Sequence, residues 1–193
     1  MAENFSVKLE EAKYYTPEDG YGEQSWIGSY DQTYQAFLAD PDRFWDRIAS
    51  ELEWFQPWDQ VKEWDYPYAR WFLNGKLNIT HNCLDRHVQN QRRNKVALIW
   101  RGETEDEERT YTYRQLFHAV CRFANGLSRL GVRKGDRVCI YMPMVPEQII
   151  AMLACARIGA IHSVVFGGFG VNALNQRIRG TSAKLVVTAD YTY

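Results

Sequence analysis

Hydrophobic positions change their spacing partway along this chain. Up to about residue 75 the apolar residues, many of them aromatic, follow no sustained period. Two short stretches are exceptions. Residues 30–38 carry a helical pattern, and after Pro41 the residues Phe44, Ile48 and Leu52 recur four apart with Trp45 beside them. Pro41 suits a first helical turn, and Asp40 before it suits a cap. From about Lys95 a strand–helix rhythm sets in. Residues 96–100 read as a buried strand and residues 109–112 as a second, after the charged loop 103–108. Tyr113, Leu116, Phe117, Val120, Phe123 and Leu127 then recur three and four apart, the mark of an amphipathic helix. Thr112 and Gln115 form a capping box at its start, and Gly131 is its stop. Strands at 137–141, 161–166 and 184–188 alternate with helices at 146–158 and 171–179. Apolar strands separated by helices predict right-handed βαβ units and a mainly parallel sheet covered on both faces. The fold class expected is therefore α/β, preceded by an aromatic-rich helical and irregular extension.

Six of the seven tryptophans lie between Trp26 and Trp71. Such a segment is expected to pack across a neighbouring domain, since each ring buries a large area. A carbohydrate or peptide platform is the functional alternative. The net charge of −1 over 193 residues, with acids and bases interspersed, gives no reason to expect a nucleic acid or an anionic membrane as partner. Cys83, Cys121, Cys139 and Cys155 are widely spaced without a CxxC and read as buried reduced thiols. The polar, acidic start MAENFSVKLEE is no signal peptide, and the apolar region 138–169 is broken by Pro143, Pro146, Glu147 and Arg157, so it is not a membrane span. A cytoplasmic protein is expected. The sequons at Asn4 and Asn78 then carry no meaning.

Candidate chemistry is sparse. Residues 163–170 read SVVFGGFG, an apolar strand running into three glycines in four positions at a helix start. The carboxyl end of a parallel strand is where open α/β sheets place ligands. Gly167, Gly168 and Gly170 match neither GxGxxG nor a Walker A loop. They could present backbone N–H groups to an anion, or form only a tight turn with close strand–helix packing. In THNCLDRH (80–87), Cys83 and His87 would share a helix face, but a structural zinc needs about four ligands, so a buried Cys beside partly exposed histidines is the better reading. His162 reads as a core histidine, with Ser163 facing the other side of its strand. Glu147 in a first helical turn complements the helix dipole. No catalytic residue and no metal ligand can be named from the residues alone.

NCLDRH (82–87), YMPMVPE (141–147), ACARIGA (154–160), HSVVFGGF (162–169) and TAD (188–190) together resemble the N-terminal part of the acetyl-CoA synthetase family, within the adenylate-forming superfamily. The resemblance covers nearly the whole chain and is weakest before about Tyr30. It implies that residues 1–94 form that family's N-terminal extension. Residues 95–193 would be the first part of its AMP-binding domain, with an incomplete doubly wound sheet. It implies a ligase that adenylates acetate with ATP and Mg²⁺, releases pyrophosphate, and passes the acyl group to the thiol of CoA. Propionate or another short acid could replace acetate, and a non-catalytic CoA-binding module is the rival from a different class. A dehydrogenase-type domain is disfavoured by the missing GxGxxG. Carried over residue by residue, the resemblance places CoA against backbone at Phe166, Gly167 and Gly168. Gly170 stands where the family commonly has a serine cap, and Gly180 where an acid is commoner. The family's phosphate loop, acetate pocket and catalytic lysine match nothing here. The 193 residues alone are therefore expected to be inactive, to hold no cofactor tightly and to be poorly soluble. The oligomeric state is left open.

Overall fold

A computed structural model describes residues 22, 25–104 and 106–190. The acidic start, the Asn4 sequon and Tyr193 lie outside the described residues. Residues 1–49 and 50–193 form two units. In the first, α1 (Tyr30–Ala39) is capped by Ser29, whose hydroxyl accepts from the N–H of Gln32, and α2 (Pro41–Ala49) follows at once. Asp40 caps α2 as expected, accepting from the N–H of Arg43 at 2.9 Å. Tyr34, Phe37, Phe44 and Trp45 form a run of ring contacts along the pair. Leu52, read as the next turn of this helix, lies beyond its end.

The second unit opens with a hairpin that the sequence pattern did not reveal. β1 (Gln60–Asp65) pairs antiparallel with β2 (Tyr68–Leu73) through the Tyr66–Pro67 turn, which contains a cis peptide bond. Its apolar and charged residues do not alternate cleanly, because rings from both strands stay exposed. A π-type turn, His81–Asp85, then runs into the three-residue α3 (Arg86–Val88) and a 3₁₀ turn, Gln91–Asn94. β3 (Val96–Arg101) pairs antiparallel with β4 (Glu108–Thr112) as a separate two-stranded ribbon. The connection 102–107 dictates this, because a parallel crossover needs about a dozen residues or more. β3 is also not the buried strand expected, since Ile99 is 61 % exposed.

β4 passes directly into α4 (Tyr113–Arg129), and the Thr112–Gln115 capping box is formed in both directions. The parallel sheet has three strands: β5 (Arg137–Met142), β6 (Ile161–Phe166) and β7 (Leu185–Thr188), in the order β6-β5-β7. α5 (Pro146–Arg157) carries the chain from β5 to β6, and α6 (Val171–Thr181) carries it back past β5 to β7. Right-handed crossovers running in opposite directions place the two helices on opposite faces, which is the doubly wound arrangement. Val138, Ile140 and Met142 of β5 face Leu116, Val120 and Leu127 of α4 and the small residues Ala151 and Ala154 of α5. Each large aliphatic side chain buried there contributes about 1.5–3 kcal/mol.

The joint between the segment before β3 and this core is polar. Asn78 donates to the carbonyls of Ala156 and Arg157 at the end of α5, and accepts from the N–H and hydroxyl of Thr80. Arg157 grips Asp85 with two bonds, 2.9 and 2.6 Å, and lies 4.9 Å over the Phe117 ring. Asn82 is buried and bonds both backbone groups of Glu53.

Coverage of the sheet is less complete than the sequence implied. On the α5 face, the outer strand β6 leaves Val164 and Phe166 exposed; on the α6 face, β7 leaves Val186 exposed. Among the described residues β6 and β7 each have one bonded neighbour. Open edges of this kind template pairing with another chain. The 193-residue chain is expected to self-associate as concentration rises. Val164→Lys or Val186→Lys should shift it toward monomer in light scattering. A wild-type chain that stays monomeric at every concentration would contradict this.

Candidate functional site

Parallel pairing brings three chain segments to one end of the sheet. β5 ends at Met142 and enters the loop 143–145; β6 ends at Phe166 and enters the glycine turn; β7 ends at Thr188. The first loop is held from outside. The indole N–H of Trp100 donates to the carbonyl of Met144 at 2.6 Å, Arg109 pairs with Glu147 at 2.8 Å, and the same Arg109 lies 5.0 Å over the Trp100 ring. Glu147 thus does more than complement the α5 dipole; it ties the β3–β4 ribbon to the helix start.

The turn after β6 is built closely on β5. A Cβ added to Gly167 would come within 3.2 Å of the Met142 carbonyl oxygen, so the glycine is what allows this approach. A Cβ on Gly168 would meet the Phe166 ring at 2.7 Å. The N–H of Phe169 donates back to the carbonyl of Phe166, closing the turn at 3.0 Å. The Tyr141 hydroxyl lies 2.9 Å from the carbonyl oxygens of both Gly167 and Phe169. Phe166 and Phe169 meet edge to face at 6.0 Å, and the Arg177 guanidinium sits 4.4 Å over the Phe169 ring. The N-cap of α6 is Gly170, which supplies no side-chain bond, so the first N–H groups of the helix lack the partner a serine would give. Phe166 is 63 % exposed, and its ring lies against Gly168 in the turn. The arrangement can bind and orient an acceptor; it offers no nucleophile–base pair.

The other sequence candidates lie elsewhere. His162 is in register with Val138, at the opposite end of the sheet from the turn, and is half-buried. Cys83 and His87 do not share an α-helical face, because the π-type turn sets a different spacing. Cys83 is exposed rather than buried, His81 pairs with Glu53 at 2.7 Å, and the His87 ring packs 4.8 Å from that of Tyr113. Burial holds His87 below the usual imidazole range, with Arg86 adding to the effect, so it is neutral near pH 7. Among the described residues no three His, Cys, Asp or Glu could hold a metal ion, and no helix is long and apolar enough to cross a membrane. Tyr141, Arg177 and the Trp100–Arg109–Glu147 clamp escaped sequence reasoning. Their partners are up to 44 residues away, and no local pattern announces such contacts.

Residues 84–193 match the family model described as AMP-binding enzyme, and residues 30–83 match that described as acetyl-coenzyme A synthetase N-terminus. The chain belongs to the AMP-binding enzyme family. Among its relatives, the acetyl-coenzyme A synthetase of Chlorobaculum tepidum is 46 % identical over 99 % of this chain and 29 % of that protein. Those of Deinococcus radiodurans and Methanothrix thermoacetophila are 52 % and 55 % identical, over 85 % and 78 % of this chain and 25 % and 23 % of theirs. This AMP-binding chain therefore spans about a quarter of the length of the curated relatives it matches.

The thiols of this AMP-binding chain differ sharply in environment. Burial pushes Cys139 up and Cys155 to about 11, so both stay protonated and unreactive at ordinary pH. At pH 8 an aromatic disulfide reagent is expected to label Cys83 first, and Cys139 and Cys155 only after unfolding. Cys83→Ser should remove the fast phase. Rapid labelling of Cys155 in the folded chain would contradict the buried α5 interface.

Proposed function

We propose that this chain is the N-terminal part of an AMP-forming acetate–CoA ligase, which converts acetate, ATP and CoA into acetyl-CoA, AMP and pyrophosphate. The observation that carries the reading is the order and abutment of the two family models: the synthetase N-terminus over 30–83 runs without a gap into the AMP-binding region at 84. The relatives' names agree with it. ATP and Mg²⁺ supply the adenylyl group and the charge screening that make a carboxylate oxygen a good leaving group.

The residues present contribute binding and orientation. Phe166, Gly167 and Gly168 are assigned to CoA. Their geometry fits that role, because close packing on β5 leaves the outer side of the turn bare, with amides beside an exposed ring. The extension is taken to end at residue 94 on structural grounds, where the 3₁₀ turn Gln91–Asn94 gives way to β3, although the match to the AMP-binding family model already starts at 84. Unpaired cysteines suit a reducing cytoplasm.

Acetate-dependent exchange of pyrophosphate into ATP tests the reading. The full-length protein carrying this region is expected to catalyse exchange and to release AMP when CoA is added, with acetate favoured over propionate. The 193-residue chain alone is expected to do neither. A full-length protein with no exchange on any short-chain acid, or an isolated chain with full exchange, would overturn the assignment.

A further inference from the structure

The hydroxyl of Tyr141 reaches across from β5 to the turn that opens α6. It lies 2.9 Å from the carbonyl oxygen of Gly167 and 2.9 Å from that of Phe169. A phenol has one proton to share between the two acceptors. A trans peptide is planar, and its C=O and N–H point in opposite directions. Drawing the carbonyls of Gly167 and Phe169 toward Tyr141 therefore turns the N–H groups of Gly168 and Gly170 away from it. Neither of these N–H groups donates to an acceptor among the described residues. Other contacts hold the turn in place: the Phe169 N–H on the Phe166 carbonyl, Gly167 against the end of β5, and Arg177 over Phe169. None of them touches the two carbonyls whose peptide planes carry the unpartnered amides.

We propose that Tyr141 is a positioning residue for CoA, fixing the two peptide planes so that the Gly168 and Gly170 amides meet an oxygen acceptor of that substrate. This rests on the assignment of CoA to the Phe166–Gly168 turn. Without the hydroxyl the ring still fills its place beside β5, but the planes can rock and the amides lose their aim. A preformed donor pair binds more tightly than one that must be ordered on binding. The effect falls on CoA alone, because among the described residues the hydroxyl bonds only to this turn.

Steady-state kinetics of the full-length protein test this. Tyr141→Phe is expected to raise the KM for CoA about fivefold, the worth of one net hydrogen bond, while the KM values for acetate and ATP move less than about twofold. A second variant addresses the amide directly. Gly170 has φ −71°, which proline adopts, and a Cβ there meets nothing within 4 Å, so Gly170→Pro keeps the backbone angle and removes the N–H donor. It should raise the CoA KM similarly, and the double variant should raise it by clearly less than the product of the two, as coupled groups do. An unchanged CoA KM in Tyr141→Phe, a parallel rise in all three KM values, or strict multiplicativity would overturn the proposal and leave the ligase reading intact. Absence of CoA-dependent AMP release in the wild type would instead overturn the reading beneath it.

Discussion

Strand β5 is hydrogen-bonded in parallel on both sides, and the placement of the site follows from that pairing. Its Val138, Cys139 and Ile140 are fully buried, so the strand is desolvated on both faces and each backbone group needs a ladder partner. Parallel neighbours force crossovers, crossovers bring helices, and the helices leave from the same end of the sheet. That end gathers the 143–145 loop, the glycine turn and the end of β7. Antiparallel pairing by β6 would have sent the glycine turn to the opposite end of the sheet.

The sequence segments that carried the family resemblance prove to be bonded to one another. Asp85 of NCLDRH holds Arg157 of ACARIGA, and Tyr141 of YMPMVPE holds the carbonyls of Gly167 and Phe169 in HSVVFGGF. The first pair is mostly shielded, with side chains 21 % and 20 % exposed. Such a pair adds little net stability over an apolar substitute, because desolvation offsets much of the attraction. Removing one partner, however, strands the other at a cost of about 3–5 kcal/mol. Its role is to fix which part of the 80–94 segment meets the end of α5. The second pair does the same for the turn and β5.

Local rules made much of this legible. The capping box at Thr112, the Asp40 cap, the proline start of α5 and the three parallel strands follow from periodicity and capping chemistry alone. The β1–β2 hairpin did not, because its strands expose aromatic rings on both sides and so lack the alternation that marks a half-buried strand. The ribbon β3–β4 was seen as two strands but not as a separate antiparallel pair; the short 102–107 link carried that information. Cys83 was misplaced because a π-type turn looks like an α-turn in sequence and turns a different side outward. At the candidate site the glycines were legible, but Tyr141 acts across 26 and 28 residues, a span no local pattern covers, and nothing in the sequence announced the contact of Arg177 with the Phe169 ring eight residues before it.

The end of the sheet carries a turn packed closely on β5 with its outer side exposed, and the proposal is that CoA meets it there. Hydrogen exchange of the 166–171 segment in the full-length protein, followed by mass spectrometry with and without CoA, examines that directly. Protection of this segment on adding CoA, with little change in β1 and β2, is the result expected. Unchanged exchange there while the protein turns over CoA would mean that the thiol substrate binds elsewhere.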